Sequence, residues 1–162
     1  MRQQPLFAAG AAVALLGAPQ LLSPGPVLVW NASPSVPTGP YRIVHASPVV
    51  GDLVLVRLPT RYAALAHRRG YLPRSAYLLK PIVAAGGDTV CRRGAHIFVR
   101  GKLVARARAH DAAARPLTSW QGCRVLQPSE IFLIADDPGS FDSRYFGAVS
   151  AGSVAGRATR IW

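Results

Sequence analysis

The sequence predicts a mainly β fold: antiparallel sheets folded over into a barrel-like system, with an N-terminal transmembrane helix and a short inserted helix. Three observations lead there. Beyond residue 41 the chain breaks into many short β-favouring runs punctuated by glycine and proline, a pattern that suits hairpins better than βαβ units. Near the start, PLFAAGAAVALLGAPQLL (5–22) carries no charged side chain. Between the runs, TRYAALAHRRG (60–70) has alanine and leucine at its centre and a basic last turn, as a short helix would.

The elements follow in order. A bilayer core needs about 20 apolar residues as helix, so residues 5–22, with apolar character resuming at PVLVW (26–30), make an adequate span. Arg2 ahead of the run places the N-terminus in the cytoplasm and the remainder outside. A cleaved signal peptide competes with a retained anchor; the proline after the small residues in LGAPQ weighs against cleavage. The organisation is thus a membrane anchor or signal segment at 1–30 and an extracytoplasmic domain at 31–162. NASPSVPTGPY (31–41) is a loop. RIVHA, DLVLVRL, AYLLKPIV and DTVCR read as strands, HIFV and KLVA as a hairpin about Arg100-Gly101, and EIFLIAD and ATRIW as the last strands. Thr60 is a candidate helix cap and Gly70 a stop. ARARAHDAAARPLTSWQGC (105–123) reads as a surface excursion with a helical turn. Cys91 and Cys123 form one disulfide if the domain is exported, and are small buried hydrophobes if it is cytosolic.

A net charge of +12 raises nucleic acid as a partner through phosphate attraction. The arginines are scattered singly or in pairs, however, with no sustained basic run, no zinc spacing and no RNA-binding motif. Membrane lipids explain the charge equally, and nucleic acid is not expected as a partner. No residue pattern calls for a metal or a cofactor.

Within this arginine-rich chain only Lys80 and Lys102 are lysines, and Lys80 sits inside the apolar run LLKPIVAAGGDTV (78–90). Burial lowers a lysine pKa and turns an ammonium into a general base; a half-exposed lysine that snorkels to water is the plainer reading. A base needs a nucleophile, and Ser35 lies between Pro34 and Pro37, whose restricted backbones can hold its hydroxyl in place. Read alone, Ser35 is an ordinary turn serine. A third stretch, PGSFDSRYFG (138–147), follows the strand EIFLIAD.

Taken together, SPSVPTGPY, KPIVAAGGD and SFDSRYFG resemble, in order, the motifs of the serine/lysine signal peptidases, and within them the conjugative-transfer TraF type. The resemblance covers roughly residues 5–162. It implies a signal-peptidase-like fold with Ser35 as nucleophile and Lys80 as general base. Ser33 falls where a hydroxyl helps the Ser35 N–H form the oxyanion hole, Ser140 where a serine orients the lysine amine. Asp142 and Arg144 would pair behind the site, with a direct role for Asp142 left open. The implied substrate is an exported precursor protein such as a pilin, bound as an added β-strand at the periplasmic side of a bacterial inner membrane. Hydrolysis and cyclisation of the product both stay open. Two departures stand out: Pro81 replaces a basic residue and puts Lys80 on an edge or beside a bulge, and ADDPG replaces the usual opening of the last motif. Competing functions are a noncatalytic membrane-anchored β scaffold of a conjugation or secretion machine, a soluble self-cleaving repressor of the related class, and a basic nucleic-acid-binding module.

Overall fold

The computed structural model describes residues 27–73 and 75–161. The expected membrane segment lies outside them, and among the described residues no helix is long and apolar enough to cross a membrane. In chain order the elements are β1 (Leu28–Asn31), β2 (Gly39–Val44), β3 (Leu53–Arg57), α1 (Thr60–Arg68), β4 (Tyr77–Ala85), β5 (Thr89–Arg93), β6 (His96–Val99), β7 (Lys102–Arg106), β8 (Gly122–Val125), β9 (Glu130–Leu133), α2 (Ser143–Phe146), β10 (Val149–Ser150) and β11 (Val154–Arg160). A larger sheet has the strand order β1-β2-β11-β3-β4-β9-β10, and a smaller one β7-β6-β5-β8. All described pairings between these strands are antiparallel. The mainly β, antiparallel expectation therefore holds for the described residues.

Three apolar clusters hold the sheets. Val54, Val56, Leu78, Ile82 and Leu133 pack with Phe146 and with Ala66 of α1. Ala84, Val90, Ile97, Val99 and Phe132 fill the space where the long strand β4 meets the smaller sheet. On the opposite face of β3 and β4, Leu55 and Leu79 meet Tyr41, Ile43 and Ala158. Because Leu78 and Ile82 pack into one cluster and Leu79 into another, the middle of β4 is covered on both faces. That is unusual ground for a lysine.

Several expectations need correcting. Among the described residues the sheet begins at Leu28: Leu28 to Asn31 pair with Arg42 to Gly39. The apolar PVLVW that extended the membrane run thus ends in an edge strand. Thr60 does not cap α1; Pro59 holds the N-cap position and its carbonyl accepts from Tyr62 and Ala63. Gly70 does end the helix, with a positive φ of 72° that suits glycine. In place of a free helical turn, the excursion has a turn in which the Asp111 carbonyl and carboxylate accept from Ala114, Ala113 and Arg115, closed by a bridge between His110 and Pro116. Its last residues become β8, which the sequence reading left as loop. The short β10 was also missed.

The hairpin about Arg100-Gly101 is present, with φ of 50° and 76°, the positive values that a two-residue type I′ turn demands. Asp88, the acidic end of the lysine motif, accepts from Ala85 N and pairs with Arg100 at 3.1 Å. It closes the turn between the sheets. Cys91 and Cys123 stand directly opposite on β5 and β8 and are joined by a disulfide.

Candidate active site

Lys80 projects from β4 on the same face as Leu78 and Ile82, the alternation a strand requires. Leu79 faces the other way into the Tyr41 cluster, so it takes no part in enclosing the amine. Ile82 N donates to Asp52 O on the β3 side. The missing N–H of Pro81 therefore falls on the β9 side, where pairing begins only at Ile82 and shifts register between Ile82 and Ala84. Both positions expected for Lys80 are met: among the described residues it pairs with Val54 of β3 on one side only, and the register shift follows at Ile82.

The Lys80 amine lies 2.5 Å from the Ser35 hydroxyl. Lys80 is 3% exposed and Ser35 8%. Burial pulls the lysine pKa from its ordinary 10.5 down to about 8; Asp142 and Asp137 oppose the fall and Arg144 assists it. Ser35 arrives on the loop between β1 and β2, across 45 residues of sequence. That loop is held from two sides. The Tyr41 hydroxyl donates to Pro37 O at 2.7 Å, and the Asn31 amide spans the loop from the end of β1. Ser33 Oγ lies 3.0 Å from Ser35 Oγ.

Behind the lysine, Asp142 caps α2. Its Oδ1 accepts from Arg144 N at 3.1 Å and from Arg144 Nε at 2.9 Å. Its Oδ2 accepts from Arg144 Nη2 at 2.9 Å and from Ala135 N at 3.1 Å. Arg144 Nη2 also donates to Ala135 O. The pair is wholly buried, and both carboxylate oxygens are taken, so Asp142 acts on Lys80 through charge and not by contact. Ser140 is buried in the same cleft, and its Oγ has no hydrogen-bond partner among the described residues. It makes no bond to Lys80. The cleft measures about 350 Å³, and its lining includes Leu72, Leu78, Leu117, Phe141 and Tyr145 together with Ser33, Ser35, Lys80 and Ser140.

The family description "Signal peptidase, peptidase S26" matches residues 2–162. The chain belongs to that family. Its relatives include the probable conjugal transfer protein TraF of Sinorhizobium fredii, 34% identical over 143 residues that cover 81% of this chain and 74% of that protein. The plasmid transfer protein TraF of Escherichia coli is 31% identical over 157 residues, 90% of this chain and 86% of the other. A signal peptidase I from Enterococcus faecalis aligns in structure with a TM-score of 0.43 at 20% identity, over 72% of this chain and all of that one.

For this peptidase-family chain, the six residues singled out from sequence fall into two groups. Ser33, Ser35, Lys80 and Ser140 line one cleft; Asp142 and Arg144 form the buried pair behind it. The sequence reading passed over Asn31 and Tyr41. Asn31 carried a signal, since an asparagine two residues before a serine is poised for an Asx turn; Tyr41 carried none apart from its place after the loop. Among the described residues no cluster of His, Cys, Asp or Glu could hold a metal ion.

Proposed function

We propose that this chain is a membrane-anchored serine endopeptidase that cleaves an exported precursor through a Ser35/Lys80 dyad. The observation that carries the reading is the 2.5 Å contact between a buried serine hydroxyl and a buried amine whose pKa is pulled down to about 8. A neutral Lys80 accepts the Ser35 proton as Oγ attacks the peptide carbonyl. The amine product leaves with that proton, and water, or an amine of the substrate, resolves the acyl-enzyme. The Ser35 N–H is suited to the oxyanion, one such donor being worth about 3 to 4 kcal/mol; the Ser33 hydroxyl, which donates to Asn31 Oδ1 at rest, joins it only by turning its proton toward the site. The unpartnered Ser140 hydroxyl is available to orient the lysine amine.

The substrate fits as an added strand. Among the described residues no strand pairs with Tyr77–Lys80 of β4 on its β9 side, which leaves main-chain groups beside the nucleophile. Relatives named for conjugal transfer and plasmid transfer support a transfer-related precursor, for which we take a pilin-like one; the disulfide between Cys91 and Cys123 favours a domain on the periplasmic side of the inner membrane. The test is to incubate the detergent-solubilised chain with such a precursor beside a Ser35→Ala control. Cleavage by the unaltered chain alone supports the reading; equal cleavage by both, or by neither, rejects it.

A further inference from the structure

Asn31 ends β1, is buried, and uses both ends of its amide. Its Nδ2 lies 2.8 Å from Ser33 O, 2.9 Å from Val36 O and 3.1 Å from Pro37 O. Its Oδ1 accepts from Ser33 N at 3.2 Å and from the Ser33 hydroxyl at 3.1 Å. Carbonyls around one atom and an N–H against the other leave no choice about which is nitrogen. The segment clasped in this way is the one that carries Ser35.

The proton count then sets a direction. Ser33 has one hydroxyl proton and Asn31 Oδ1 has none, so the Ser33 proton goes to Asn31 and a Ser33 lone pair faces Ser35. The 3.0 Å contact between the serines therefore uses the Ser35 proton, while Ser35 accepts from Lys80. The chain runs Lys80 to Ser35 to Ser33 to Asn31, the direction that a charged lysine imposes. Acyl transfer needs the reverse at Ser35, whose proton must turn to a neutral amine. Asn31 thus holds both the geometry of the loop and the resting direction of its hydroxyls.

We propose that Asn31 is a positioning residue for acyl transfer, clasping the Ser33–Pro37 loop and setting the orientation of the Ser33 hydroxyl beside the nucleophile. The inference rests on Ser35 and Lys80 being nucleophile and base. It is tested with the full chain in detergent and p-nitrophenyl acetate as acyl donor. The Ser35 Oγ–acyl bond forms, the ester C–O bond breaks, nitrophenolate leaves, and the serine proton passes to Lys80. Peptide mass mapping locates the acetyl group and gives the rate at Ser35 over a range of pH.

Asn31→Ala should acetylate Ser35 about 100-fold more slowly while still melting cooperatively, the scale of loss expected from a misplaced reacting group. Asn31→Asp keeps shape and the acceptor but puts a negative charge at the end of the chain. Its acid limb should move to higher pH, because that charge favours the Lys80 ammonium. Asp142, Asp137 and Arg144, the other charges acting on Lys80, are the same in both proteins. A rate within threefold of the unaltered chain in Asn31→Ala, or an unmoved limb in Asn31→Asp, overturns the inference; should Asn31→Ala not fold, the limb alone decides. Absence of Ser35 acetylation in the unaltered chain overturns instead the reading of Ser35 as nucleophile, and this inference falls with it.

Discussion

Replacing Lys80 with methionine should make the protein more stable, and by an amount that depends on pH. The amine ionises at about 8 in the folded chain against an ordinary 10.5. The unfolded chain therefore binds the Lys80 proton more tightly, and stability rises with pH between those two values. Below pH 8 the whole cost is present; above 10.5 none of it is. The gap between about 8 and 10.5 converts to a cost of roughly 3 kcal/mol at pH 7. Methionine matches the length of lysine and suits a site bounded by Leu78 and Ile82. For a domain of this size, a gain of that order raises the melting temperature by roughly 10 °C. Melting both proteins in one detergent from pH 7 to pH 10 cancels every other titrating group in the difference. The advantage of Lys80→Met should shrink steadily as pH rises. A difference that is constant across that range would refute the claim that Lys80 is a destabilising, desolvated amine. The same pKa requires cleavage by the unaltered chain to rise with pH and reach half its maximum near pH 8.

Lys80→Arg keeps charge but stays protonated, so it should fold and yet lose cleavage as completely as Ser35→Ala, with the double variant scarcely worse; the exposed Lys102→Arg should cleave normally in the same precursor assay. Changing both Cys91 and Cys123 to serine opens a link that spans a sequence separation of 32; the stability loss, read by denaturant unfolding, should be about 4 kcal/mol by the loop-entropy relation, with reductant no longer mattering. Arg144→Gln strips Asp142 of its buried partner and should cost about 3 to 5 kcal/mol in the same measurement. In whatever Arg144→Gln protein remains folded, the acid limb of the cleavage profile should move to higher pH, because nothing then offsets the Asp142 charge at Lys80.

How far the sequence could be read depended on whether the deciding interaction was local. The Arg100-Gly101 turn, the stop at Gly70 and the main β runs were legible because positive φ, glycine and alternation are properties of a few neighbouring residues. The strands β8 and β10 were not. Gly122–Val125 is exposed along its length, so it shows no alternation, and only pairing with β5 across the disulfide makes it a strand. PVLVW looked like more membrane segment because an apolar edge strand and the end of a span have the same composition. The Asp142–Arg144 pair, Ser33 and Ser140 could be listed in advance only through resemblance to a family; Ser35 also carried a local signal in its flanking prolines. No spacing rule brings residues 35 and 80 together; the sheet order does.

That sheet order also accounts for the chemistry of the lysine. An amine on a surface strand would stay near its ordinary pKa and be charged at neutral pH. Lys80 avoids this because its part of β4 pairs with β3 and carries apolar clusters on both faces. The usual remedy for a buried ammonium, a carboxylate in contact, is withheld: the Asp142 oxygens are already filled by Arg144 and by Ala135 N. Asp142 then raises the lysine pKa only through space, and Arg144 offsets part of that. A direct Asp142–Lys80 bridge would stabilise the fold and keep the amine protonated. Engaging the carboxylate elsewhere leaves the fold less stable, and the amine able to lose its proton near pH 8 to become a base for Ser35.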